Sequence, residues 1–225
     1  MKRRKEQERS MTDRHYIAIE GVLGVGKSTF AKKLAADLKA KLVLEQVDNN
    51  PFLERFYRDM DGFALQTQLF FLLNRAKQQE PLKQMDLFES KIVSDYLIDK
   101  DRIFAYVTLE ENELNLYEKI YKAVVDEGGL LKPDLVVYLQ AGTDVLMERI
   151  KKRGRKFEKT ISKDYIHEIS EAYNYFFSHY SKSVPLVIVN TDEVDFEKDE
   201  TAYKMIRDYI LSVKGGTNYY TPRTD

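Results

Sequence analysis

Apolar residues in this chain fall into short dense runs, separated by longer stretches where they recur every three or four positions. Five runs predict strands: Tyr16 to Glu20, Leu42 to Leu44, Lys91 to Ser94, Leu135 to Leu139 and Leu186 to Val189. They are rich in the β-branched and aromatic residues that suit a pleated, buried surface. Between them the spacing is helical. Phe30, Ala31, Leu34, Ala35 and Leu38 form one stripe, and Leu65, Leu69, Leu72, Leu73 and Ala76 a second. Further stripes are Leu114, Tyr117, Ile120, Tyr121 and Val124, then Tyr165, Ile169, Tyr173, Phe176 and Tyr180, and a last one of Tyr203, Ile206 and Ile210. Strands that are apolar throughout and alternate with helices predict an α/β fold with a parallel sheet covered on both faces. Ligands in such sheets bind beyond the carboxyl ends of the strands, so the residues that follow each strand are the candidates for chemistry.

After the first strand comes Gly21-Val-Leu-Gly-Val-Gly-Lys-Ser-Thr29, which matches the pattern G-x-x-x-x-G-K-[ST] in its required setting of strand, turn and helix. Gly21, Gly24 and Gly26 let the backbone wrap a phosphate, and the N–H groups there and at the helix start point at negative charge. Lys27 can reach β- and γ-phosphates, the Ser28 hydroxyl can ligate Mg²⁺, and Thr29 completes the motif. The stretch predicts binding of a nucleoside triphosphate.

The other strand ends carry acids. Glu45 follows the second strand, where a carboxylate near the phosphates can take a proton from an acceptor hydroxyl. Asp95 follows the third, a common place for a residue that holds Mg²⁺ directly or through water. Gln68 and Arg75 lie seven apart on one helical face, an amide and a guanidinium able to read the polar edge of a base. Arg149, Arg153 and Arg155 surround Gly154; such charge runs are ordinarily solvated, but here a basic lid over a triphosphate is expected.

Bulk composition adds limits. In 225 residues, 36 basic side chains balance 37 acidic ones, which provides no global field for nucleic acid. The absence of cysteine excludes disulfides and thiol catalysis, and the three histidines do not have a metal-site spacing. No apolar run is long enough for a membrane span, so a cytoplasmic protein without a membrane partner is expected. Residues 1–14, rich in Lys and Arg, predict a disordered basic tail, and 215–225, after a glycine pair, a C-terminal tail. One domain, 15–214, lies between, with a lid at about 149–162.

These residues together resemble the deoxynucleoside kinase family, from about Tyr16 to Leu211. The loop, with Glu20 before its first glycine, is similar to that family's phosphate loop, and the lid follows its Arg-x-x-x-Arg-Gly-Arg-x-x-Glu pattern. The resemblance implies a three-layer α/β/α core with a five-stranded parallel sheet and a helical lid, in a homodimer packed through helices. It implies ATP as donor with Mg²⁺, and a small deoxynucleoside as acceptor, with no nucleic-acid partner. Glu45 is implied as general base for the 5′-hydroxyl, Tyr57 and Glu158 as partners of the sugar 3′-hydroxyl, and Gln68 and Arg75 as contacts of the base. Lys27 and Arg153 are implied in catalysis, and Asp195 and Phe196 in the loop beside the donor adenine.

One departure stands out. The family's Glu-Arg-Ser or Asp-Arg-Ser after the third strand is replaced by Ser94-Asp95-Tyr96, so its arginine is missing. Asp99, Lys100 or Asp101 then stands where an acid of some members contacts a purine, and the expected substrate leans toward purines. A nucleoside monophosphate kinase of the thymidylate kinase type is the alternative, but it needs an arginine for the acceptor phosphate. A non-catalytic nucleotide-binding module with a nucleic-acid-binding arm would not need Glu45, Tyr57 and Gln68 as well as the loop and lid.

Overall fold

A computed structural model describes residues 15–83, 91–180 and 184–222, so the predicted N-terminal tail lies outside the described residues. Its centre is a parallel sheet in the order β2-β3-β1-β4-β5-β6. The strands are β1 (Tyr16–Gly21), β2 (Lys41–Val43), β3 (Ile92–Ser94), β4 (Leu135–Gln140), β5 (Leu186–Asn190) and β6 (Thr217–Tyr220). Every residue of β1 and β3 is buried, as strands with both faces covered must be. Helices α1 (Lys27–Leu38), α2 (Leu53–Arg58), α3 (Met60–Lys83), α4 (Lys100–Thr108), α5 (Glu111–Tyr121), α6 (Thr143–Arg153), α7 (Lys163–Ser178) and α8 (Glu200–Ser212) complete the layers.

The sheet has six strands, one more than the resemblance implied. The extra strand lies in the segment read as a C-terminal tail. Gly216, at φ 71°, turns the chain back, and Thr217 to Tyr220 pair in parallel with Leu186 to Val189. The Tyr220 ring stacks on Tyr209 of α8 with centroids 4.2 Å apart, which fixes one face of this edge strand. That packing is tertiary and leaves no periodic signal in so short a segment.

Two further features position the site. β1, β2 and β3 are neighbours, so Gly21, Glu45 and Asp95 emerge at one edge, and the Asp95 amide donates to the Val43 carbonyl at 3.1 Å. The long helix α3 packs against α2, α4 and α5 across that edge. Its buried face differs from the apolar stripe: Thr67, Gln68, Arg75 and Gln79 are inside, while Leu73 is half exposed. A helix that buries polar side chains spends hydrophobic stabilisation, which points to a site rather than to core.

Candidate active site

The phosphate loop is built by packing as much as by glycine. Gly24 has φ 86°, and a Cβ there would lie 2.9 Å from the Leu146 carbonyl of α6. Gly26, at φ 102°, sits directly over the Phe196 ring. The Lys27 ammonium donates to the carbonyls of Gly21 and Val22 at 2.6 and 3.1 Å, folded beneath the loop. Burial, with Lys100 nearby, pushes its pKa down to about 8. Glu20 does not face the loop's cavity. Its carboxylate is fully buried and accepts from the amides of Gly21 and Leu97 and from the Tyr173 hydroxyl, so it ties β1 to the segment after β3.

Beside the loop, Ser28 donates a short hydrogen bond through Oγ to Asp95 Oδ2, and the Glu45 amide donates to Asp95 Oδ1 at 2.6 Å. Asp95 thus joins α1, β2 and β3. Glu45 is clamped by two cations: Arg75 Nη2 on Oε1 and Lys100 Nζ on Oε2, the latter at 2.8 Å. Burial alone would raise its pKa, but Arg75 and Lys100 outweigh it and hold the carboxyl well below the usual range. Arg75 is itself buried and also pairs through Nη1 with Asp101. Its guanidinium lies over the Phe71 ring at 4.9 Å. Gln68, two turns earlier in α3, is buried and donates to Thr108 Oγ1 at 3.3 Å.

The lid closes the other side. α6 ends at Gly154 in the left-handed conformation, and a single helical turn, Lys156–Glu158, follows. Glu158 is buried there and receives Arg153 Nε at 3.1 Å and Nη2 at 2.6 Å, with Arg155 Nη1 at 3.7 Å. Tyr57 stacks parallel to Phe157, with centroids 6.3 Å apart, and burial, then Glu158, pushes its hydroxyl pKa well up. Thr160 donates to the Tyr57 carbonyl at 3.2 Å, which anchors the lid to α2. Lys27, Ser28, Glu45, Tyr57, Gln68, Arg75, Asp95, Arg153, Arg155 and Glu158 all line one open cleft.

Four predicted residues lie elsewhere. Arg149 donates to the carbonyls of Thr191, Asp192 and Val194 at 2.7–3.1 Å, so it braces the loop after β5 and does not reach the cleft. Phe196 is buried against Phe30, with centroids 5.0 Å apart, and props the phosphate loop from below instead of offering a face to a ligand. Asp195 is partly exposed, accepts from the Glu197 amide at 3.0 Å and pairs with Lys152 at 3.4 Å. Asp99 accepts from Tyr121 at 3.1 Å and faces a separate groove between α4 and α7. Its neighbours Lys100 and Asp101 are the ones that turn inward, because Lys100 begins α4 and successive helical residues point about 100° apart. The cleft also uses Thr67, Phe71 and Phe104, which the sequence presents as ordinary helix positions. The charged run Lys100-Asp101-Arg102 at the start of α4 was the available signal.

A family model described as deoxynucleoside kinase matches residues 17–213. The chain is 33% identical to a deoxyguanosine kinase of Bacillus subtilis over 87% of its own length and 95% of that protein's. It is also 33% identical to a deoxyadenosine/deoxycytidine kinase of the same organism, over 88% and 92%. Among solved structures, a deoxyadenosine kinase from M. mycoides with products bound superimposes with a TM-score of 0.76 at 29% identity, over 88% of this chain and all of that one. The chain belongs to the deoxynucleoside kinase family.

Proposed function

We propose that this deoxynucleoside kinase transfers the γ-phosphoryl of ATP to the 5′-hydroxyl of a purine deoxynucleoside, with Glu45 as general base. The observation that carries this reading is the position of Glu45, a carboxylate at the end of β2 in the same cleft as Lys27, held ionised by Arg75 and Lys100. An ionised carboxylate there accepts the hydroxyl proton as the oxygen attacks. Lys27 and the lid residues Arg153 and Arg155 supply positive charge on the donor side, where charge spreads over the transferring group.

Tyr57 and Glu158 are assigned to the sugar 3′-hydroxyl, and Gln68 and Arg75 to the base. The Arg75–Asp101 pair supports a purine, deoxyguanosine or deoxyadenosine ahead of deoxycytidine; the names of the relatives include both purine deoxynucleosides, and one also includes deoxycytidine. Because Arg75 is matched to two carboxylates, the inner end of the cleft disfavours an acceptor that carries its own phosphate.

Mg²⁺ fits the residues present. Ser28 and Asp95 offer hard oxygens in direct contact, and this ion keeps several waters and binds through few carboxylates plus substrate phosphates. Held by Ser28 and Asp95, the ion would neutralise phosphate charge of the bound triphosphate. No described helix is long and apolar enough to cross a membrane. The homodimer reading is supported by the exposed Tyr106 and Tyr175 on the adjacent helices α4 and α7.

Glu45→Gln tests the assignment. It should lower kcat by about 10²–10⁴-fold and leave the KM for ATP within about threefold. A variant that turns over normally would remove Glu45 from the chemistry.

A further inference from the structure

We infer that Lys100 is the positioning residue for Glu45, holding the base carboxylate in the plane from which it meets the acceptor hydroxyl. This rests on the reading of Glu45 as general base. The end of β3 offers no cation of its own, since Ser94, Asp95 and Tyr96 follow one another there. Arg75 divides its two terminal nitrogens between Glu45 and Asp101, so it fixes only one oxygen of the base. A carboxylate held at one oxygen still pivots; the second contact, Lys100 Nζ to Oε2 at 2.8 Å, stops it. Each oxygen keeps a further lone pair for the substrate proton.

The location of Lys100 makes little sense for stability. Its side chain is only 6% exposed, and desolvating an ammonium is costly. It is also the first residue of α4, where the partial positive charge of the helix end opposes a cation. Its ammonium lies 5.5 Å from the Phe104 ring, which offsets part of that cost and aims the group inward. A residue kept in a place that opposes its charge is explained by what it holds.

The test is a cycle of Lys100→Met, Lys100→Arg, Glu45→Gln and the double variant, with steady-state kinetics and thermal unfolding. Lys100→Met should lower kcat about 10–100-fold, leave the KM for ATP within about twofold, and still unfold in one cooperative transition. Lys100→Arg should recover turnover to within about fivefold of wild type, and in the Glu45→Gln background the loss of Lys100 should cost less than about twofold. Wild-type turnover in Lys100→Met would overturn the proposal. So would a loss undiminished by Glu45→Gln, a failure of arginine to rescue, or a Lys100→Met chain that does not fold, because each makes the role structural or independent of Glu45. Normal turnover in Glu45→Gln alone would instead bring down the base assignment, and this proposal with it.

Discussion

Arg153 grips Glu158 with two hydrogen bonds, Nε to Oε2 at 3.1 Å and Nη2 to Oε1 at 2.6 Å. The lid arginine proposed for the transferring phosphoryl and the carboxylate proposed for the sugar are therefore one unit before any ligand arrives. Tyr57→Phe and Glu158→Ala should each lower kcat/KM for a 2′-deoxynucleoside about 10–100-fold, the cost of a lost polar contact. For the 2′,3′-dideoxy analogue, which lacks the hydroxyl, the loss should be under about threefold. Equal losses on both substrates would remove the sugar contacts.

Arg75 stands between two buried carboxylates, Glu45 and Asp101. Arg75→Met leaves Asp101 without its cation and Glu45 with Lys100 alone, so unfolding in urea should show a loss of about 3–5 kcal/mol. Asp101→Asn leaves Arg75 paired with Glu45 and should cost less, while it raises the nucleoside KM more than the KM for ATP. If Asp101→Asn altered neither constant, the pair would have no part in base recognition.

Phe196 props Gly26 and packs on Phe30. Phe196→Ala should cost about 3–5 kcal/mol of stability, as for other buried aromatic truncations. Its effect on ATP binding should follow that loss. Calorimetric unfolding checks the first statement; an unchanged melting temperature with weakened ATP binding would return Phe196 to the donor site.

Asp99 carries a pH signature. Burial, only partly offset by the bond from Tyr121, raises its pKa above the ordinary value. The folded state thus favours the neutral acid. Its cost is absent below the unfolded pKa, grows as pH rises through the folded pKa, and is constant above it. Asp99→Asn mimics the neutral form, so the variant should be more stable than wild type at pH 7, with the difference vanishing in acid. Denaturation at pH 3 and pH 7 measures it; a variant less stable at pH 7 would contradict the sign.

How legible the site was depended on whether its residues follow strands or sit inside helices. Gly21 to Thr29, Glu45 and Asp95 could be found because each directly follows a strand, where chain order and spatial order coincide in a parallel sheet. Lys100 and Asp101 were ambiguous with Asp99, since choosing among three consecutive residues requires the rotation of α4, which starts at Lys100. Arg149 fits the lid pattern, yet its guanidinium is captured by three backbone carbonyls after β5, a contact between distant segments. β6 was hidden for the same reason: its strand character comes from β5 and Tyr209 and not from its own residues.

The central claim is that the acceptor is a nucleoside hydroxyl. Coupled ADP release from ATP with deoxyguanosine, deoxyadenosine, deoxycytidine and thymidine, each beside its 5′-monophosphate, tests it most directly. The cleft around Glu45 and Arg75 predicts turnover on the nucleosides, purines first, and none above background on the monophosphates. Turnover confined to the monophosphates would contradict it.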